Sequence, residues 1–277
     1  MRIIHHFDPY IIRIHGDFGL RWYSLPYIIG FFLSYRALLR AGAAGEEGGL
    51  SPEAADRFLV YTLVGVLLGA RFFHVFVFEF GHYGFDPVAW LAVWRGGLSF
   101  HGGLVGAVAA IALFARREGM SIYAITDRLA VPVAIALGLG RIGNFINAEM
   151  IGTPYDGPFC VDYTQNEHLV RPPAGCRHPT QLYEMTKNWV IAALLAVMGR
   201  HRPRRGVITW SFIGLYGAIR FFLMFLRDEA AVWGTLTLSQ IFSAVMAVAA
   251  AAVLWSMYTG VLHGTAGLGR GGGTGAS

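Results

Sequence analysis

The sequence predicts an all-α integral membrane protein with seven transmembrane helices, its N-terminus outside and its C-terminus cytoplasmic. Three observations carry this. Of 277 residues, 55% are hydrophobic and only 14% are charged, whereas a soluble domain carries about 25% charged residues. The mean hydropathy is +0.49. Apolar stretches close to the roughly 20 residues that cross a bilayer recur seven times. They cover most of the chain, so it reads as a single membrane domain.

The elements follow in order. Residues 1–21 are interrupted by polar groups and lack a clean apolar core and a small-residue cleavage site. They read as a short interfacial segment, with no cleavable signal peptide evident. Spans are expected near 22–40, 56–78, 98–115, 125–148, 181–199, 207–226 and 238–260, forming one seven-helix transmembrane domain over 22–262. Pro26 and Pro132 fall inside spans, where membrane helices tolerate them. Residues 149–180 form the largest external loop. Residues 263–277 are Gly-rich and are expected to be a disordered cytoplasmic tail.

Arginine bias sets the orientation. Arg36, Arg40, Arg57, Arg116, Arg117, Arg128, Arg200, Arg202, Arg204 and Arg205 lie in one set of connections, and Arg270 in the tail joins them. The other side holds Arg2, Arg13, Arg21, Arg95, Arg171, Arg177 and Arg227. The richer set sits in short loops, where the positive-inside rule is most reliable, so it is cytoplasmic. The formal charge is +5, from 21 arginines and one lysine (Lys187) against the acidic residues. In a membrane protein this balance points to topology and anionic lipid, and no nucleic-acid partner is expected. Cys160 and Cys176 both fall in the external loop. An oxidising compartment would bridge them; two unpaired thiols are the alternative. No cysteine lies within a span, so the chain offers no intramembrane thiol nucleophile.

The polar residues inside the spans are the informative ones. Arg71, Arg141 and Arg220 each cost about 2.5–3.5 kcal/mol on insertion scales, so each needs a partner or a role. Arg71 lies eight residues before Glu79, Arg141 eight before Glu149, and Arg220 seven before Arg227. At 1.5 Å per residue, all three are expected roughly 10–12 Å below the outer ends of their helices. Tyr23, His101, Gln181, Tyr183 and Glu184 begin spans near that level. The cytoplasmic half shows no comparable set, which disfavours an ion pathway and favours a cavity open to the outer leaflet. Several arginines with few carboxylates call for an anion, and a phospholipid phosphate is the natural one at that depth. For Arg71 taken alone, snorkelling or a structural pair with Glu79 or Glu184 weighs equally.

Four motifs carry these residues. In "GRIGNFINAEMIG", Arg141 and Asn144 share a helix face, while Asn147 and Glu149 read as architectural. The alternative for the whole motif is a small-residue packing seam with polar glue. In "SFHGGLVGA", His101 is the natural general base, and Gly102 and Gly103 leave room beside it for a substrate or another backbone. "RHPTQLYE" starts a helix, with Tyr183 and Glu184 supporting the arginines. "YGAIRFFLMFLRDE" places Arg220, Met224 and Arg227 on one face. No zinc-protease, nucleophile-elbow or phosphate-loop signature occurs, and the histidines form no metal spacing; no metal or cofactor is expected.

At these residues the sequence resembles the bacterial prolipoprotein diacylglyceryl transferase family. The likeness runs in order over roughly residues 20–245 and includes "RWYSLPYIIGF" and "GARFFHV". It implies a seven-span, multi-pass enzyme of the bacterial inner membrane with its active site facing the outer leaflet. Such an enzyme moves the diacylglyceryl group of phosphatidylglycerol onto the lipobox cysteine in a prolipoprotein signal segment, forming a thioether and releasing glycerol phosphate. It further implies that Arg141 and Arg220 bind the headgroup and leaving phosphate, and that His101 and Tyr23 are catalytic. Asn144, Glu149 and Gly152 fall on its signature. On this reading Arg71, Asn144 and Gly152 join the lipid-binding set, with Asn147, Glu149, Tyr183, Glu184 and Arg227 in support. Met224 stands where the family commonly has a glutamate, Asp228-Glu229 where it has Pro-Asp, and Thr153 where arginine is frequent. The competing readings are a paralogue with a changed donor or acceptor and a non-catalytic lipid-binding or transport protein.

Overall fold

The computed structural model describes residues 2–15, 18–84, 86–91 and 97–260. Arg95, Arg270 and the expected 263–277 tail lie outside the described residues. The chain divides into two compact units: Met1–Pro26 with Ala134–Ser277, and Tyr27–Val133.

Long helices occupy all seven expected stretches: α1 (Leu25–Ala43), α2 (Pro52–Phe73), α5 (Phe100–Arg117), α6 (Ile122–Ile146), α7 (Thr180–Arg200), α8 (Val207–Leu223) and α9 (Leu238–Thr259). Two short helices, α3 (Phe80–Tyr83) and α4 (Pro87–Leu91), follow α2. Among the described residues, five helical stretches are long and apolar enough to cross a membrane: Pro52–Val77, Phe100–Arg117, Ile122–Ile146, Val207–Leu226 and Leu238–Thr259. The chain is thus a helical, multi-pass membrane protein. α1 and α7 are not among the five. α1 carries Arg36 and Arg40, and α7 carries Glu184, Lys187 and Asn188.

Local chemistry sets the helix ends. Ser51 caps α2 by accepting from the Ala54 amide, with Pro52 in the first turn, where its missing N–H costs nothing. Ser99 caps α5 in the same way through Gly102. Thr237 and Gln240 form a reciprocal capping box at the start of α9.

The 27–133 unit is built on α2 and α5. Gly102 of α5 meets the Gly69 backbone of α2, so the space beside this glycine is filled by another helix. Leu38, Phe58, Phe114, Ile125 and Leu129 form its buried core.

The other unit adds strands that the all-α expectation did not contain. β1 (Arg2–Ile4) pairs in parallel with β4 (Cys160–Asp162), which pairs antiparallel with β5 (Cys176–Arg177). β2 (Tyr10–His15) and β3 (Phe18–Arg21) make a hairpin, as do β6 (Ala231–Trp233) and β7 (Leu236–Thr237). Cys160 and Cys176 are joined in a disulfide. These strands are two to six residues long, too short for hydrophobic alternation to announce them.

Candidate active site

α6, α7 and α8 deliver the polar residues of the first unit. Glu184 sits in the second turn of α7, and three cations share its carboxylate. Lys187 Nζ is 2.6 Å from Oε2, Arg220 Nη1 is 3.4 Å from Oε1, and Arg141 Nε is 3.7 Å from Oε2. Lys187 also lies 3.8 Å from the ring centroid of Tyr216, whose hydroxyl accepts from Arg220 Nη1 at 3.5 Å. Helical spacing arranges this: Lys187 is i+3 from Glu184 and Tyr216 is i−4 from Arg220.

Arg141 donates to Asn144 Oδ1 at 3.3 Å, as their shared face predicts. Asn144 in turn donates to Glu149 Oε2 at 2.7 Å, and Asn147 donates to Glu149 Oε1 at 3.2 Å. The Glu149 charge is therefore spent on two amides. Beyond α6 the backbone turns sharply, with Ala148 at φ 53° and Met150 at φ 56°. Left-handed geometry at residues with side chains costs of order 1–3 kcal/mol and gathers at functional sites. Here it lays Met150 Sδ 2.9 Å from Arg141 Nη1. Gly143 leaves space for Tyr23; a Cβ there would stand 3.0 Å from the tyrosine ring.

The start of α7 closes this side. Thr180 donates to the Met150 carbonyl at 2.8 Å. Gln181 donates to the Glu149 carbonyl at 2.5 Å and to Tyr163 Oη at 3.3 Å. Burial pushes the Tyr163 hydroxyl up to about 12, so it stays protonated. Gly152 bridges Arg227, its carbonyl accepts from Arg177 at 3.3 Å, and Arg177 also pairs with Asp228 at 3.0 Å. Tyr183 lies 3.4 Å from His178 Nδ1, and the His178 ring stacks on Tyr155 with centroids 3.9 Å apart. Burial lowers the His178 pKa from its ordinary 6.5.

A cleft of about 260 Å³ is lined by Arg141, Thr180, Gln181, Glu184 and Arg227, with Met150, Leu223 and Met224 as its apolar wall. The one-face expectation for Arg220, Met224 and Arg227 requires a correction. α8 ends at Leu223, a 3₁₀ turn covers Met224–Leu226, and Arg227 is extended. It reaches the cleft through the bridge to Gly152 instead, and pairs with Glu229 at 3.6 Å.

His101 and Arg71 belong to the other unit. His101 is exposed in the first turn of α5. Arg71 is buried in α2 and donates to the Gly97 carbonyl at 3.3 Å. Sequence reasoning passed over Lys187, Tyr216 and Met150. Spacing from Glu184 and Arg220 was enough to find the first two; the left-handed turn behind Met150 has no comparable signal.

Comparison with known proteins agrees along most of the chain. A family model described as prolipoprotein diacylglyceryl transferase matches residues 9–256. A phosphatidylglycerol–prolipoprotein diacylglyceryl transferase of Brucella anthropi is 34% identical over 265 residues, covering 91% of each chain. Proteins of the same name match from Geobacter sulfurreducens, 36% identical over 83% of this chain and 86% of that one, and from Nitrosomonas europaea, 39% identical over 80% and 78%.

Proposed function

This chain belongs to the prolipoprotein diacylglyceryl transferase family, and from that premise we propose that it transfers the diacylglyceryl group of phosphatidylglycerol to the lipobox cysteine of a prolipoprotein. The observation that carries the reading is the single Glu184 carboxylate shared by Lys187, Arg141 and Arg220. Buried cations in such excess stabilise a bound anion. The cleft beside these cations is lined by Arg141, Glu184 and Arg227, so charge rather than size is what suits it to a headgroup.

The phosphate sits against Arg141 and Arg220, with Asn144 and the Gly152 backbone beside it. Arg71 and Gly152 complete the lipid-binding set. His101 accepts the proton of the substrate thiol, and Tyr23 is the second catalytic residue of the reading. The thiolate attacks the glyceryl carbon that bears the phosphate oxygen. The C–S bond forms, the C–O bond breaks, and the electron pair leaves with glycerol phosphate, which takes up the proton. Charge grows on the leaving phosphate, where fixed cations help most. Asn147, Glu149, Tyr183, Glu184 and Arg227 hold this arrangement.

The proposed topology is seven spans in the bacterial inner membrane, with the N-terminus outside and the active site facing the outer leaflet. Residues 1–21 lie at the interface and 263–277 in the cytoplasm. Arginine bias supports this orientation. The test is mass spectrometry of a lipobox peptide incubated with the protein and phosphatidylglycerol. A gain of one diacylglyceryl group is expected, and its absence overturns the reading. His101→Ala is expected to abolish the gain while phosphatidylglycerol binding survives.

A further inference from the structure

We propose that Lys187, the only lysine in the chain, is a positioning residue that holds the Glu184 carboxylate from below and so keeps Arg141 and Arg220 available to a lipid phosphate. The inference rests on the phosphate reading of the two arginines given above.

Three distances carry it. Lys187 bonds Glu184 at 2.6 Å, while Arg220 and Arg141 stand off at 3.4 and 3.7 Å. A carboxylate has one negative charge to share, and the lysine takes the tight contact. Exposure also sets the lysine apart from the two arginines. The Lys187 side chain is 2% accessible, whereas Arg141 and Arg220 keep 12% and 16%. The ammonium is thus sealed inside, while both guanidiniums keep some accessible surface and Arg141 lines the cleft. Lys187 also rests on the Tyr216 ring, and the Tyr216 hydroxyl accepts from Arg220. Both groups that accept hydrogen bonds from Arg220 are therefore in contact with Lys187.

Chemistry separates the roles. An ammonium is a compact point charge that fits beneath a carboxylate, and a guanidinium offers a fork that matches two phosphate oxygens. Without Lys187, Glu184 would keep its charge and draw the arginine forks onto itself. An incoming phosphate would then have to break those pairs. Lys187 touches neither the lipid nor the thiol in this scheme; it acts through Glu184.

The test uses the full-length protein in detergent micelles. Binding of short-chain phosphatidylglycerol is measured by calorimetry, and transfer to a lipobox peptide is measured in parallel. Lys187→Met is expected to raise the Kd and the KM for the lipid on the order of tenfold, with kcat changed far less. Adding Glu184→Gln to Lys187→Met is expected to bring the Kd back towards wild type, since the carboxylate no longer competes. A purely structural lysine would lower melting temperature without this reversal in Kd. Wild-type Kd in Lys187→Met, or a double variant that binds as poorly as Lys187→Met, overturns the proposal. If Lys187→Met does not fold, the double variant decides: a Kd near wild type supports the proposal, and weakened binding overturns it. A wild-type protein that binds the lipid but modifies no peptide refutes the transferase reading alone, because the lysine is still tested through Kd.

Discussion

Arg71 in α2 and Arg220 in α8 are both withdrawn from water, yet they are held in different ways. Arg71 is 1% exposed and donates to a backbone carbonyl at Gly97. Its helix packs on α5 through glycines, Gly69 against Gly102. Arg220 shares Glu184 with Arg141 and Lys187, and its other partner is a phenol. A backbone dipole carries no net charge, whereas the Glu184 carboxylate does. Three buried cations around one carboxylate leave charge unspent, and that surplus is what a phosphate would neutralise. Burial of an arginine therefore says little until its acceptor is known.

The largest test of this contrast is activity. Arg141→Ala or Arg220→Ala is expected to lower transfer by about 10²–10³, the usual cost of one group that stabilises developing negative charge. Near-normal transfer in either variant would remove the distinction. The second test asks what seats the cation cluster. The Cys160–Cys176 disulfide closes a loop with a sequence separation of 16, and β5 leads directly into α7. Replacing both cysteines by serine is expected to lower stability by about 3 kcal/mol in the loop-entropy account, read as a shift in thermal unfolding. Transfer should fall along with it; an unchanged melting curve would show that the loop is held without the bridge.

Arg71→Ala sharpens the comparison from the other side. Transfer is expected to fall less than about tenfold, while the melting temperature drops. A loss as large as that of Arg220→Ala, with an unchanged melting temperature, would place Arg71 among the catalytic cations. The smallest effect concerns the end of α6, which carries Arg141 and Asn144. Fully buried His5 lies 2.6 Å from the Phe145 carbonyl through Nε2 and 2.7 Å from Asn166 Nδ2 through Nδ1. The carbonyl needs a donor and the amide an acceptor, so the ring is neutral with its proton on Nε2. Burial lowers its pKa from 6.5. The unfolded chain then binds a proton that the folded one refuses, and the stability His5 contributes, full above pH 6.5, is lost as pH falls below that value. The slope is at most about 1.4 kcal/mol per pH unit for one proton. Melting curves of wild type and His5→Gln between pH 5 and 7 measure it; parallel curves would remove His5 from the account.

Much of the site was legible because helices repeat. The i+3 spacing of Arg141 and Asn144 produced the hydrogen bond it implies. The excess of arginine over carboxylate was visible before any geometry. Glu184 was read as support for the arginines, and it is the group they share. Where the chain leaves helical geometry, spacing loses its meaning. Arg227 was placed by counting seven from Arg220, but it reaches the cleft by pairing with Gly152 after α8 has ended. The strands of the 149–180 region were hidden for the same reason, since two or three residues carry no period.

The sequence by itself determined the solvent and the helical class of the fold, and it pointed to the kind of ligand that the proposed function takes up. Apolar runs of span length and arginines within them are properties of composition and local order, which survive without knowledge of the fold. Only the tertiary structure decided which acceptor each buried cation meets. Glu184 and Lys187 lie on α7, Arg141 on α6, and Arg220 with Tyr216 on α8, so their shared charge depends on how three helices face one another. No local pattern encodes a distance of 2.6 Å against 3.4 and 3.7 Å. Those differences are set by packing, and they separate the cation in tight contact with the carboxylate from the two that stand off it.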